Sequence, residues 1–360
     1  MQPETVTSPL NPEWRSLLER HGAVYAADRL LHFGNPTQEI KTAASGDILV
    51  DLSHLSILRA RGDDTLSFLQ GQTSNDIRSV SETRSQLSAY CNPKGRMLAI
   101  FRIFKFGEDY CLQLPAALAE ATLKRLRMFV LRAKVKLDLA DTELLRIGLS
   151  GPNAQQLLTQ VLGAAPAAPD DCLATQGIVV LRLPGLHARF ELIAAPERLL
   201  TLWPDLASHA QPVGAAVWSW LDIQAGIPSV LPGTTEEFVP QMANLELVGG
   251  VSFTKGCYPG QEIVARMHYL GRLKQRMFRA HVASIEQPAP GTPVFAPDLP
   301  GQSTGSVVDA QASPREGYDL LVVVHLSSQE TGELHLATPD GPRIILEPLP
   351  YAFTQSTPRT

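Results

Sequence analysis

The sequence predicts an α+β protein that has two related α+β domains followed by a small C-terminal β-barrel. Residues 46–142 mix strand-like runs with helical ones, and a similar order of elements begins again at residue 143. After residue 276 the helical periodicity disappears, and short β-rich runs alternate with Gly, Pro and Asp turns. A length of 360 residues suits two or three domains, and 44% hydrophobic residues suffice for ordinary cores.

The lead segment 1–45 and the first domain, 46–142, contain elements with clear boundaries. Apolar spacing predicts an amphipathic helix at 12–21, and strands fill 47–62. Asp63 or Asp64 can cap a helix that ends at Gly71. The remaining elements are strands at 86–91, 96–106 and 109–114, a helix at 115–131 and a strand-like run at 134–141.

The second domain, 143–250, repeats this order, and the chain then passes through a linker, 251–275, into the barrel, 276–352, and a tail, 353–360. The expected elements are strands at 144–149, 177–183 and 188–194 and helices at 152–162, 196–205 and 214–225. In the barrel the β-rich runs are 277–283, 305–309, 318–325, 332–337 and 343–347. "GQSTG" at 301–305 fits the nucleophile-elbow pattern, but a strand-like run follows it, so we interpret it as a β-turn.

Several functional classes are disfavoured by composition. A net charge of −5 argues against binding polyanions by overall charge. The four cysteines are scattered and join no Cys/His cluster, so neither a metal site nor a disulfide framework is expected. The chain shows no secretory signal, no apolar run long enough to span a membrane, and no Walker or dinucleotide-binding motif. We expect a cytoplasmic monomer that does not contact membranes.

The stretch "TKGCYPGQEIVARMHYLGRLKQR" (254–276) contains the most unusual cysteine of the chain. Gly256 permits an uncommon backbone angle, and Pro259 suits the first turn of a helix. Cys257 would then lie at or just before a helix N-terminus, where the dipole and Lys255 favour a thiolate. Cysteine is also among the most frequently buried residue types. From these residues alone, a functional thiol and a buried structural cysteine both stay open.

Two basic clusters stand out in this net-acidic chain. Each cluster taken alone is more simply a solvated face, but together they favour an anionic ligand such as a polycarboxylate or an RNA backbone. The first cluster comprises Lys124, Arg125, Arg127, Arg132, Lys134 and Lys136. The second comprises Lys255, Arg266, Arg272, Lys274, Arg276 and Arg279.

"KGCYPGQE" (255–262) closely resembles the signature of the YgfZ-type folate-binding proteins, which are relatives of the glycine-cleavage T-protein. Further matches cover most of the chain: "GDDTLSFLQGQTSNDI" (62–77), "AYCNPKGRML" (89–98), "FVLRAKVKL" (129–137), "GLSGPNA" (148–154), "LDIQAGIPSV" (221–230) and "FVPQMANLELVGGVSFTKGCYPGQE" (238–262). The resemblance implies three domains arranged as a ring around a central opening that holds tetrahydrofolate or another folate, with or without a polyglutamate tail. It also implies a role in the assembly or repair of iron–sulfur enzymes, including one that methylthiolates tRNA.

The resemblance also assigns candidate residues. Cys257 would be the functional thiol, with Lys255 beside it, and Glu191 in "RFEL" (189–192) resembles the pterin-binding glutamate of the T-protein. An exposed strand glutamate is the alternative for Glu191. The other candidate folate-binding residues are Lys94, Arg96, Gln261, Glu262 and Arg266. The expected partners are folate, iron–sulfur client enzymes or assembly proteins, and a weak tRNA contact through the basic clusters.

One departure from the T-protein bears directly on catalysis. In "NPKGRMLAIF" (92–101), Ala99 or Ile100 stands where the catalytic aspartate would align, so no carboxylate is available on this run. "LDIQAG" (221–226) likewise has Asp222 and Gln224 where the T-protein has an arginine and a glutamate. We therefore expect a folate-binding factor without classical turnover. The alternatives are an active aminomethyltransferase and an RNA-binding or scaffold protein that does not use folate.

Overall fold

The computed structural model describes residues 11–269, 271 and 273–353. Its first elements are α1 (Pro12–Arg20), β1 (Val24–Ala26), β2 (Arg29–His32), α2 (Pro36–Ala43) and β3 (Ile48–Asp51). The helix expected at 12–21 is confirmed, and the side chain of Asn11 caps it by accepting the N–H groups of Glu13 and Trp14. Trp14 is fully buried, and its ring meets Trp203 edge-on at 5.2 Å between centroids.

The next elements form a five-stranded antiparallel sheet with a long helix on its outer face. They are β4 (Leu55–Arg61), α3 (Thr65–Gln70), β5 (Gln86–Cys91), β6 (Met97–Phe106), β7 (Asp109–Pro115), α4 (Ala116–Arg127) and β8 (Lys136–Leu139), in the sheet order β5-β6-β7-β4-β8. α4 buries Leu118, Leu123 and Leu126 against the sheet. It ends before the predicted residue 131 because the chain turns after Met128.

A six-stranded sheet and three helices form the second α+β unit. The elements are β9 (Leu145–Gly151), α5 (Ala154–Leu162), β10 (Cys172–Thr175), β11 (Ile178–Leu183), β12 (Ala188–Ala194), α6 (Pro196–Ala207), β13 (Gln211–Val213) and α7 (Ala215–Ala225). The sheet order is β10-β11-β12-β9-β3-β13, and β13 pairs with β3 in parallel.

The sheet pairing departs from the domain boundary expected at residue 46. β3 pairs with β9 and β13 and so belongs to the second sheet, although the sequence grouped it with the first domain. All four residues of β3 are buried. A strand buried on both faces shows no alternation that would reveal which sheet it joins, so local pattern could not place it.

The C-terminal elements close into a six-stranded barrel, as expected. α8 (Gln261–Tyr269) precedes it, and its elements are β14 (Gln275–Val282), β15 (Pro293–Phe295), β16 (Ser303–Ala312), β17 (Tyr318–His325), α9 (Leu326–Thr331), β18 (Leu334–Leu336) and β19 (Arg343–Glu347). The strand order around the barrel is β14-β17-β16-β15-β18-β19. The "GQSTG" run begins with a turn at 301–302, and its last three residues open the strand β16, so no helix follows it as a nucleophile elbow requires.

Helix α7 joins the barrel to the two sheets. Its Ile223 belongs to one apolar core that contains Ile100 of the first sheet and Val323 of the barrel. The indole N–H of Trp220, also on α7, donates to Asp319 of the barrel at 2.8 Å. The predicted α+β class with a C-terminal barrel is therefore confirmed, while the ring around a central opening stays a prediction.

Candidate functional site

The loop formed by residues 255–260, here called the signature loop, exposes one thiol. All four cysteines lie in the described part of the chain and are unpaired, and Cys257 alone among them is exposed. Burial raises the pKa of the others, to about 12 for Cys91 and Cys111 and to about 11 for Cys172. Cys257 is therefore the cysteine that can meet a partner without local unfolding.

Lys255 turns away from solvent and ties the signature loop to the end of α3. It is 5% exposed, and its ammonium donates to the backbone carbonyls of Gln70, at 2.6 Å, and Thr73. Burial lowers its pKa to about 8. The ammonium is thus committed to the backbone, and the predicted activation of Cys257 by Lys255 gains no support from this geometry.

Gly260 holds the signature loop against the turn between β5 and β6. Its φ is +81°, and a Cβ there would lie 2.5 Å from the carbonyl oxygen of Asn92 and 2.6 Å from Cα of Gly95. Gly256 was expected to supply the uncommon angle, but its φ lies outside the left-handed region. The helix begins at Gln261 rather than at Pro259, so Cys257 lies four residues before its first residue.

Glu191 lies in a buried polar contact between the two sheets. It is 2% exposed at the middle of β12, which rules out the exposed-strand alternative. Its Oε2 accepts from the Gln113 amide of β7 at 2.9 Å, and its Oε1 faces the indole N–H of Trp218 at 3.3 Å. Burial raises the pKa of Glu191, and nearby Arg102, the Gln113 amide and Arg189 oppose that shift.

Gly148 sets the position of Trp218 against Glu191. Gly148 is the strand partner of Glu191 in the second sheet, and a Cβ at Gly148 would lie 2.5 Å from the Trp218 ring. The guanidinium of Arg189 stacks on the Trp218 ring, 4.0 Å from the ring centroid. It also donates a hydrogen bond to Asp222 at 2.7 Å. Only glycine at 148 allows this close packing of the indole on the sheet.

Two residues that contact Glu191 were not predicted as site residues. Gln113 and Trp218 are its direct hydrogen-bond partners. Asp309 of β16, which was also not predicted as a site residue, is buried, and burial, with a smaller contribution from Asp222, raises its pKa to about 6. Gln113 comes from the other sheet, so no local pattern in the sequence could have linked it to Glu191.

The other predicted folate-binding residues lie near the β5–β6 turn, at the start of β6. Lys94 and Arg96 belong to the β5–β6 turn, which Gly260 and Ile263 contact directly. Lys94, Arg96, Glu262 and Arg266 are exposed and Gln261 is half-buried, while the guanidinium of Arg96 donates to the carbonyl of Glu237. Arg102, beside Gln113, lies six residues further along β6 than Arg96. A strand rises about 3.3 Å per residue, so about 20 Å separates the two groups.

Comparison with known proteins identifies the family. The protein named tRNA-modifying protein YgfZ from Colwellia psychrerythraea is 30% identical over 309 residues, which cover 85% of this chain and 93% of that protein. The chain belongs to the YgfZ family. The protein of the same name from Photorhabdus laumondii is 30% identical over 314 residues, covering 85% of this chain and 93% of its own length.

The YgfZ-family chain also matches a broader family model and a solved structure. The model described as GCVT N-terminal domain matches residues 21–180. The crystal structure of glycine cleavage system aminomethyltransferase T from Bartonella henselae aligns with a TM-score of 0.79 at 18% identity, covering 96% of this chain and 98% of that one. This likeness shows that the two share a fold.

In this YgfZ-family chain the second basic cluster does not form one surface. Lys255 is buried, Arg276 is paired with Glu246, and Arg279 is paired with Glu347 at 3.4 Å. Lys274 and Arg266 are exposed, and Arg272 lies outside the described residues. The three inward side chains hold the loop and the barrel in place, so this cluster offers an anion fewer cations than its sequence suggests.

The two positions expected to align with the T-protein's catalytic aspartate are apolar here. Ala99 and Ile100 are buried, and β6 carries no carboxylate along its length. Within the described residues, no group of three or more His, Cys, Asp and Glu side chains is arranged to hold a metal ion. In the same part of the chain, none of the helices is both long and apolar enough to cross a membrane.

Proposed function

We propose that this chain is a folate-binding factor that supports the assembly or repair of iron–sulfur proteins and, through them, the methylthiolation of tRNA. Its YgfZ relatives bear the name tRNA-modifying protein, and its fold is shared with an aminomethyltransferase of the glycine cleavage system. Cys257 is the functional thiol in this proposal, and Glu191 binds the pterin ring of tetrahydrofolate or a related folate.

The observation that carries the folate proposal is an unused acceptor beside Glu191. Oε1 of Gln113 is buried and has no hydrogen-bond partner among the described residues, while the Nε2 of the same amide donates to Glu191. Buried acceptors are costly when unpaired. A pterin edge carries ring N–H and amino donors, so the carboxylate of Glu191 and the Gln113 oxygen fit its hydrogen-bonding pattern.

The distribution of charge suits the rest of an elongated folate. Its glutamate tail carries carboxylates at the end opposite the pterin. Lys94 and Arg266 are exposed near the signature loop, and Arg96, Gln261 and Glu262 lie in the same region. The folate would therefore run along β6 from Glu191 toward the β5–β6 turn, where the cations meet the tail.

Cys257 would act where the folate tail reaches the surface. A thiolate is both a nucleophile and a metal ligand, and an exposed cysteine can meet a client protein directly. We propose that Cys257 pairs transiently with another thiol or helps to hold a labile cluster together with ligands from a client.

Calorimetry with tetrahydrofolate polyglutamate tests the pterin site. We expect Glu191→Gln to weaken binding at least about tenfold, because a buried charge-assisted pair is lost at the pterin. Glu197→Gln, at an exposed position of α6, is the matched control and should bind like the wild type. Absence of heat at millimolar ligand with the wild-type chain would refute folate binding.

The two alternatives predict different results. An aminomethyltransferase would form methylene-folate from an aminomethylated carrier, and the lack of a carboxylate on β6 argues against robust turnover. A folate-independent RNA-binding scaffold would bind tRNA with a steep salt dependence and give no heat with folate.

A further inference from the structure

The end of α4 presents an apolar patch to solvent, on a surface that the folate proposal does not use. Met128, Phe129 and Leu131 are 59%, 45% and 87% exposed. Single exposed apolar side chains are common on protein surfaces, but three within four consecutive residues form a contiguous patch. We call these three side chains the α4 patch.

A groove of about 300 Å³ opens beside the α4 patch, and Met128 belongs to both. Its lining is mainly apolar and comes from α4, from β5 and β6 at the edge of the first sheet, and from Thr235. The lining residues include Leu98, Leu118, Ala121, Lys124, Arg125 and Met128. The groove is therefore large enough to accept one or two apolar side chains of a partner.

Cations surround the patch and the groove. Residues 121–137 contain no acidic residue. Lys124, Arg125 and Arg132 form no ion pair with the described residues, while Lys134 and Lys136 face Asp63 and Asp138 at 3.2 and 3.8 Å. Cations in the last turn of a helix complement its dipole, which accounts for Lys124 and Arg125. The dipole gives no reason for three large apolar side chains to lie in water.

The backbone at Leu131 holds the patch outward. Its φ is +46°, a left-handed conformation that is uncommon for leucine. The turn is fixed by a hydrogen bond from the Ala133 N–H to the Val130 carbonyl at 2.8 Å. No burial of Leu131 offsets the cost of this conformation, since its side chain is mostly exposed. Residues held in sparsely populated backbone conformations cluster at functional sites, where the surrounding structure holds them in place.

We propose that the α4 patch and its groove dock an acidic amphipathic segment of a partner protein. Apolar side chains of that segment would fill the groove and cover Met128 and Leu131, as in helix-in-groove recognition. Its carboxylates would meet Lys124, Arg125 and Arg132 at the rim, where charge mainly sets specificity and association rate.

Three other occupants fit these observations less well. Single-stranded RNA needs aromatic faces on which bases stack, and Phe129 is the one aromatic residue of the patch. A second copy of the chain would bring its own cations against these cations across a two-fold axis. An anionic membrane would meet the cations, but a concave groove gives it less contact than a continuous apolar helix face would.

Fluorescence anisotropy with the full-length chain tests the proposal. The probe is a fluorescein-labelled, 16-residue helical peptide that has leucines at i, i+3, i+4 and i+7 spacing and glutamates elsewhere. We expect saturable binding that weakens at least about tenfold in the double variant Met128→Ser/Leu131→Ser, since buried anchors dominate such contacts. A peptide with glutamine in place of glutamate should also bind about tenfold more weakly.

A matched control separates this site from general stickiness. Leu186→Ser removes a leucine that is 51% exposed on the second unit and should leave peptide binding unchanged. Both variants alter exposed side chains, so circular dichroism should show unchanged folding. Equal binding by the wild type and the double variant, or no saturable binding at all, would overturn the proposal. The proposal would also be overturned if the peptide did not bind but a 12-nucleotide RNA or phosphatidylserine vesicles bound in a way that the double variant abolishes. Self-association of the chain that the double variant abolishes would overturn it as well.

Discussion

At the scale of single residues, the four cysteines should differ sharply in reactivity. Cys257 is exposed, whereas the other three are buried and have pKa values raised to about 11 or 12. Since the thiolate is the nucleophile, we expect iodoacetamide at pH 8 to alkylate one site in the native chain. Mass spectrometry of the labelled protein should show one adduct, which Cys257→Ser removes.

The outcome in denaturant provides the control for this labelling. In urea all four cysteines should react in the wild type and three in Cys257→Ser. Native labelling at Cys91 or Cys172 that matches the rate at Cys257 would contradict the described burial of those side chains.

Asp309 gives the stability of the chain a pH dependence that a single substitution should remove. Burial raises its pKa to about 6, above its ordinary value of 3.8, so the native state holds the proton more tightly than the unfolded state between these values. Stability is therefore lost as the pH rises through this window, and the ionised form destabilises the native state at neutral pH. Asp309→Asn should raise the free energy of unfolding by about 1–3 kcal/mol at pH 7.5 and by less at pH 4.5.

Urea denaturation at the two pH values measures this difference. Asp340→Asn, in an exposed turn of the same barrel, should change neither value appreciably. A gain that is equal at both pH values would mean that ionisation of Asp309 is not its cause. A buried carboxylate kept at such a cost near Asp222 is typical of a functional site.

The sequence allowed residues within recognisable motifs to be singled out, but it did not allow their hydrogen-bond partners to be predicted. Cys257 and Glu191 could be singled out because each lies in a short recognisable run. Gln113 is 78 positions from Glu191, and no pattern in the chain relates the two. For Lys255, nearness in sequence was misleading. Its position two residues before Cys257 suggested a charge that activates the thiol, whereas its ammonium donates to the backbone carbonyls of Gln70 and Thr73 at the end of α3.

At the scale of elements, the contact between the signature loop and the β5–β6 turn depends on Gly260. Its positive φ and its close approach to Asn92 and Gly95 leave no room for a side chain. Gly260→Ala should therefore lower the free energy of unfolding by about 2–3 kcal/mol. It should also weaken folate binding, because the β5–β6 turn carries Lys94 and the helix that follows the loop, α8, carries Arg266.

Gly256→Ala is the matched control in the same loop. A Cβ at Gly256 would meet no atom within 4 Å, and its φ lies outside the left-handed region. Urea denaturation should therefore find Gly256→Ala close to the wild type. Similar losses for both variants would show that the loop tolerates neither change and that the close approach at Gly260 is not decisive.

Element type was predictable wherever the apolar period was long. The helices α1, α5, α6 and α7 and most strands lie within a few residues of their predicted positions. Short elements such as β13 and β15 span three residues and give too few positions for a period to be seen. The partner sheet of β3 was missed because it is chosen by tertiary packing, which local sequence does not encode.

At the scale of the whole molecule, the barrel completes a core that it shares with the first sheet. Met277, Val308 and Val323 of the barrel lie in the same apolar cluster as Ile100 and as Ile223 of α7. A chain that ends at residue 274 would expose this face of α7 and leave Trp220 and Gln224 without Asp319, their hydrogen-bond acceptor. We expect that shortened chain to lose its cooperative urea transition and its near-ultraviolet circular dichroism.

A milder change in the full-length chain tests the same interface without removing the barrel. Trp220→Phe deletes the hydrogen bond to Asp319 and keeps most of the apolar contact, so it should cost about 1–2 kcal/mol while the transition stays cooperative. If the shortened chain instead unfolds in a single sigmoidal transition, the two sheets form an independent folding unit. The barrel would then serve mainly to place Asp309 near Asp222, the ion-pair partner of Arg189, and its removal should affect folate binding more than stability.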